Sequence, residues 1–243
     1  MTQKTRTILF LICVFFFLLA APSVVFHSQG YRFDWENKKI TQTGAFYFKV
    51  SPRNADVYLN GKFQKRTSGI TGSALIENLL PKKYEVEIKK EGYHTWQKNL
   101  EVKETQVIEA KNIILFPEKP NFTILNDLIP EIEPSATSSD KKKVIELNDY
   151  EIWILFLEEE EKVFLTRFSE KICQVLWLND YYLIFTVGGK CSKIKIAEID
   201  DRDRLNIVDL AEFENPEIFW DKNTKKLYVF SEEKAYLLEN LLP

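Results

Sequence analysis

Histidine is almost missing from this chain. Only His27 and His94 occur among 243 residues, so no histidine-rich metal site can be assembled. Cysteine is scarce too. Cys13 lies inside an apolar run, leaving Cys173 and Cys191 beyond it, and two cysteines make no disulfide framework. They read as separate buried thiols, with pairing across neighbouring strands in an oxidising compartment as the alternative. A concentrated basic face is also lacking. Net charge is −3, and because the first 26 residues hold Lys4 and Arg6 but no acid, the remainder carries −5. Nucleic acid is therefore not an expected partner, since phosphate binding needs a basic surface. The lysine groups Lys82-Lys83, Lys89-Lys90 and Lys141–Lys143 read as solvated strand ends.

Recognisable reaction chemistry is sparse as well. There is no Gly-rich phosphate loop, serine elbow or zinc motif. Gly188-Gly189-Lys190 lacks phosphate-loop spacing and reads as a hairpin turn. Asp200-Asp201-Arg202-Asp203-Arg204 places three acids in four positions, a pattern that can attract Ca²⁺, but its two arginines can neutralise them locally and no EF-hand spacing follows. Glu158–Glu161 reads as a solvated hairpin tip. No catalytic, cofactor-binding or metal-ligating residue is assigned, no cofactor is expected, and the chain reads as a non-enzyme. A carboxylate-pair hydrolase stands as the alternative, because Asp and Glu are plentiful and sequence does not give their separations.

What the chain has is one long apolar run. Ile8 to Phe26 contains no charge, and as a helix it spans roughly 28 Å, close to the hydrocarbon thickness of a bilayer. Lys4 and Arg6 on the leading flank favour a cytoplasmic N-terminus. Tyr31 and Trp35 fall where aromatic residues rest at a membrane interface. A cleaved signal peptide is the competing reading, with Ala20-Ala21 as an imperfect cleavage site. Either way, the following residues are expected outside the cytoplasm.

Beyond a polar linker at 27–43 the period changes to that of strands. Gly44–Val50 and Ala55–Leu59 are dense in strand formers, and Asn60-Gly61 is a strong hairpin signal because both residues tolerate positive φ. Tyr84-Glu85-Val86-Glu87-Ile88 alternates strictly, so its apolar residues share one face. Tyr93 and Trp96 are expected to cap the open end of a sandwich. Three blocks here, Ser51–Lys62, Leu80–Val86 and Lys90–Trp96, resemble the PEGA family of small extracytoplasmic beta-sandwich modules. Pro52-Arg53-Asn54-Ala55 stands where that family has Pro-Glu-Gly-Ala, and Pro81-Lys82-Lys83-Tyr84 stands where a Pro-Gly turn usually precedes Tyr. The resemblance implies a non-catalytic module that accompanies surface or envelope domains.

Pro117 and Pro120 mark a boundary. After it, short strands alternate with acidic or Asn/Gly turns, and Pro134–Asp140 reads as locally disordered. Leu176–Asp180 and Phe219–Asn223 each precede a strand, and their tryptophans, Trp177 and Trp220, are 43 residues apart; a further step back reaches Pro134. A turn and strand at this period fits a four-stranded propeller blade, and the segment resembles WD40/TolB-like propeller blades. It holds about three blade lengths, fewer than closed propellers use, so open sheet edges are expected.

The expected architecture is therefore all-β behind an N-terminal transmembrane helix. It comprises a cytoplasmic stretch (1–7), the membrane segment (8–26), a linker (27–43), a PEGA-like beta-sandwich (44–119) and an incomplete beta-propeller-like repeat array (120–243). The expected function is a membrane-anchored, extracytoplasmic binding or structural module of the bacterial cell envelope. A sensor or assembly component of a membrane complex is the alternative within binding functions. Expected partners are the lipid bilayer through residues 8–26, an envelope protein or cell-wall polysaccharide, and further copies of the chain through open sheet edges.

Overall fold

A computed structural model of the chain describes residues 3–125 and 135–242. It begins with one helix, α1 (Gln3–Ser28), which has no buried residue and contains an 18-residue stretch of mean hydropathy 2.9. The helix is long and apolar enough to cross a bilayer. It runs through Pro22, and the Ser23 hydroxyl donates to the Leu19 carbonyl at 2.9 Å beside that break in the ladder. The rest of the described chain is β-structure.

The stretch read as a polar linker is a hairpin. Strands β1 (Tyr31–Asp34) and β2 (Lys39–Gln42) pair antiparallel, with Phe33 opposite Ile40. Asp34 builds the turn by accepting the amides of Glu36 and Asn37 at 2.9 and 3.2 Å.

Seven strands form the next unit: β3 (Gly44–Ser51), β4 (Asp56–Leu59), β5 (Lys62–Arg66), β6 (Ser73–Leu79), β7 (Lys83–Lys89), β8 (Trp96–Glu101) and β9 (Val107–Ile114). One sheet has the order β6-β3-β9, in which β3 and β9 run parallel; the other has the order β5-β4-β7-β8. Asn60 and Gly61 take positive φ, 50° and 73°, at the β4–β5 turn, as their side chains permit. The expected alternation holds in β7, where Tyr84, Val86 and Ile88 are buried. They join Phe46, Phe48, Val57 and Trp96 between the sheets, each buried side chain contributing about 1.5–3 kcal/mol of apolar transfer.

The remaining strands make three antiparallel sheets. The first contains β11 (Lys143–Leu147), β12 (Glu151–Phe156) and β13 (Glu161–Arg167), following the short β10 (Thr123–Leu125) in the chain. The second is the meander of β14 (Ile172–Asn179), β15 (Tyr182–Val187), β16 (Lys193–Glu198) and β17 (Ile207–Glu212). The third joins β18 (Glu217–Asp221), β19 (Lys226–Ser231) and β20 (Lys234–Leu238), and β10 adds to its edge against β20. The sheets stack in series. One core lies between the first and second, around Ile152, Ile154, Leu183 and Phe185; another lies between the second and third, around Ile184, Ile194, Ile218 and Val229. The middle sheet is covered on both faces, so every residue of β15 is buried.

The three sheets do not close into a propeller among the described residues, as the shortage of blade lengths leads one to expect. The two tryptophans 43 residues apart occupy matching places, in the edge strands β14 and β18 of the second and third sheets. Trp177 packs back onto the first sheet and Trp220 onto the second. The third register point, Pro134, lies outside the described residues. Two expectations need correction. The Ser/Thr-rich stretch is ordered over 135–140: Thr137 bridges to Val144, Ser138 is buried, and Trp177 donates its indole N–H to the Ala136 carbonyl at 2.8 Å. Low hydrophobicity suggested disorder, but an indole donor and a neighbouring strand satisfy this backbone. Cys173 and Cys191 are not separate thiols but a disulfide, linking the start of β14 to the turn after β15. The hairpin of β14 and β15 brings together residues 18 apart in sequence.

Candidate functional site

The most elaborate polar chemistry lies where the seven-stranded unit meets the middle sheet. Strand β8 is an edge strand, and an exposed edge offers unpaired backbone groups. Here the loop between β16 and β17 covers it with side chains. Asn206 Oδ1 accepts the Gln97 amide at 3.0 Å, Asp203 Oδ2 accepts the Asn99 amide at 2.9 Å, and Arg204 Nε donates to the Gln97 carbonyl at 3.3 Å.

Beneath this clamp lies a buried ion pair. Lys98 is wholly buried, and its Nζ stands 2.7 Å from Glu198 Oε1. The ammonium also donates to the Arg204 carbonyl at 2.8 Å and to the Asp200 carbonyl, so its three protons have three acceptors. Glu198, at the end of β16, accepts the Trp96 indole N–H at 2.8 Å and the Asn206 side-chain amide at 2.7 Å. Such a pair is tolerated only when hydrogen bonds complete both partners, as they do here. Trp96 is therefore more than a cap on the sandwich: it packs in that core and hydrogen-bonds across the junction.

The Asp200–Arg204 cluster holds the expected local ion pair, Arg202 to Asp200 at 2.8 Å. It also does what local sequence did not disclose, since Arg202 donates to the Glu109 carbonyl at 3.0 Å and Asp203 reaches β8. Burial pushes the Asp200 carboxyl up, but Arg202 and Lys98 outweigh it and hold the group below the ordinary carboxylate range. Tyr182 is enclosed at the same seam; burial drives its phenol up, and its oxygen accepts the Ile114 amide at 2.9 Å. The chain changes core within one step, with Leu115 packed in the sandwich and Phe116 in the core of the second and third sheets.

Two open grooves flank the junction. One, of about 420 Å³, runs past Trp96, Phe156, Tyr181, Glu198 and Asp200. The other, of about 560 Å³, is lined by Lys49, Arg53, Lys111, Asp180 and Tyr181 among others. Both touch the 111–113 stretch of β9 and Tyr181. A carboxylate-pair hydrolase needs one carboxyl held protonated to act as acid. Of the three carboxyls lining the first groove, Glu198 has both oxygens engaged by donors, Asp200 is held below the ordinary carboxylate range by Arg202 and Lys98, and Glu109 pairs with Lys111 at 2.5 Å. No group of three or more His, Cys, Asp or Glu side chains is placed to hold a metal among the described residues.

The signal for this junction was present in β8. Trp96, Lys98 and Leu100 are the inward positions of an alternating strand, and a lysine at an inward position calls for a buried partner. Its partner Glu198, 100 residues away, carried no comparable mark. No curated protein matches the chain. The family model of the PEGA domain matches residues 47–113, from within β3 to within β9. The chain thus contains a PEGA domain, carried between a single N-terminal apolar helix and a stack of three small sheets.

Proposed function

We propose that this protein is a membrane-anchored, non-enzymatic binding or structural module of the cell envelope, with its β-rich body on the extracytoplasmic side. The observation that carries the reading is the junction. Its buried Lys98–Glu198 pair and side-chain clamp fasten the PEGA domain to the sheet stack, so that the polar groups at the deepest seam hold the body together. A body fixed in this way behind one apolar helix suits presentation of a surface rather than turnover. The Cys173–Cys191 disulfide supports an oxidising, exported location, and Lys4 and Arg6 support a cytoplasmic N-terminus.

Cell-wall polysaccharide is the partner chemistry best suited to the grooves, where the exposed Tyr181 ring lies beside cationic Lys49, Arg53 and Lys111. In detergent or nanodiscs, the full chain should cosediment with purified wall polysaccharide, and Tyr181→Ala should weaken that binding several-fold without release of new reducing ends. Steady reducing-end release that disappears in Glu198→Gln or Asp200→Asn would establish a hydrolase instead.

A second reading, a component assembled with other proteins or with further copies of the chain, rests on the outer face of the first sheet. There Trp153 and the half-exposed Phe164 stack edge-on at 5.1 Å, facing away from the middle sheet.

A further inference from the structure

The hairpin that follows the helix has two unlike faces. Toward the PEGA domain it presents polar groups: Arg32 donates to Asn78 Oδ1 at 2.7 Å, and Thr41 donates to Glu104 Oε1 at 2.5 Å. Lys82 pairs with Glu36 at 3.0 Å, and Asp34 and Thr41 are buried. These bonds fix the hairpin to the domain. On the other face are Phe33, Ile40 and, at the turn, Trp35, with exposures of 43%, 68% and 82%. Phe33 and Ile40 are directly paired across the strands, and the Phe33 and Trp35 rings meet edge-on with centroids 4.7 Å apart. Nothing in the described chain covers this cluster.

Its place in the chain says what does. Only Gln29 and Gly30 separate the end of α1 from β1. Gly30 takes positive φ, 80°, and the Tyr31 ring packs on Phe26 of the helix at 5.5 Å. The Arg32 guanidinium also donates to the His27 carbonyl at 2.9 Å. The hairpin is thus held against the outer end of the segment that we read as crossing the bilayer. Trp and other aromatic rings favour the headgroup region, and lysines beside them can extend their charge into water; Lys38 and Lys39 occupy the same turn and strand. We infer that the Phe33–Trp35–Ile40 face lies in the lipid headgroup and upper acyl region, forming a foot that sets the PEGA domain at a fixed height and tilt over the membrane. This inference rests on the anchored reading above.

The full chain in nanodiscs of phosphatidylcholine brominated near the carbonyl end of the acyl chains tests it. Trp35 should be quenched strongly, so the wild type should lose a fraction of its emission that Trp35→Phe does not lose. Phe33→Ser/Ile40→Ser, which keeps Trp35, should shift that residue's emission to the red and reduce its quenching at least twofold. Equal quenching of wild type and Trp35→Phe would overturn the foot, as would a blue-shifted Trp35 insensitive to bromine, which would mean that protein covers it. Carbonate extraction of the same chains from liposomes of that lipid separates the two readings. A chain that stays in the membrane with Trp35 unquenched loses only the foot; a wild-type chain extracted by carbonate loses the anchor and the foot together.

Discussion

At Lys98 a single side chain decides whether two folded units act as one. Its ammonium is wholly buried and completed by Glu198 and two backbone carbonyls. Replacing it with Met keeps the stem's apolar volume but leaves Glu198 buried without its cation, a change that costs about 3–5 kcal/mol for pairs of this kind. Lys98→Met should therefore lower the urea midpoint sharply. Lys98→Met/Glu198→Gln should recover part of the loss, because a neutral amide can still accept from Trp96 or Asn206 without carrying an unpaired charge. Equal midpoints for the single and double variants would show that the charge pair itself does not hold the junction. The residue scale is also where sequence reading failed most. An inward lysine in a strand announces that a partner exists, but its identity depends on how two units 100 residues apart dock, and alternation within one strand contains no information about that. The Asp200–Arg204 loop shows the same limit: its internal pairing was legible, and its reach to β8 was not.

Elements were far more legible than contacts. Strand positions in β3, β4 and β7, the turn at Asn60-Gly61, and the apolar helix all follow from period and turn chemistry. The 43-residue spacing also has a physical basis, since each tryptophan packs back onto the preceding sheet. The foot hairpin escaped because its strands are four residues each and half polar, too short for alternation to stand out from a linker. The disulfide escaped because pairing depends on the register of β14 against β15 and on the turn after it, not on spacing. That bond closes a loop of 18 residues, which in the chain-entropy account stabilises by about 3 kcal/mol. Cys173→Ser/Cys191→Ser should accordingly unfold at lower urea, with a slope no shallower than the wild type's because the freed denatured chain exposes at least as much surface, and free-thiol titration of the unreduced wild type should find Cys13 alone. Three titratable thiols under non-reducing denaturation would remove the bond from the account.

For the whole molecule, the stack and the junction together make a claim about cooperativity. The middle sheet is covered by a neighbour on each face, and β10, which precedes the sheets in the chain, is tied to β20 near the other end. Unfolding any one sheet would expose apolar surface on the next, and the Lys98–Glu198 pair extends that dependence to the PEGA domain. Residues 27–243, without the helix, should thus unfold in one transition, with tryptophan fluorescence and far-ultraviolet dichroism coincident. A fragment of residues 121–243 removes Phe116 from its core and leaves Glu198 without Lys98 or Trp96. It should be much less stable and self-associate in light scattering, because the seam that the PEGA domain covers is then open to water. Adding residues 27–120 in trans should restore part of its stability, and Lys98→Met in that added piece should abolish the restoration. Two well-separated transitions in residues 27–243, or a strictly monomeric and fully cooperative 121–243 fragment, would mean that the junction joins the units without coupling them, and that the sheet stack sustains itself.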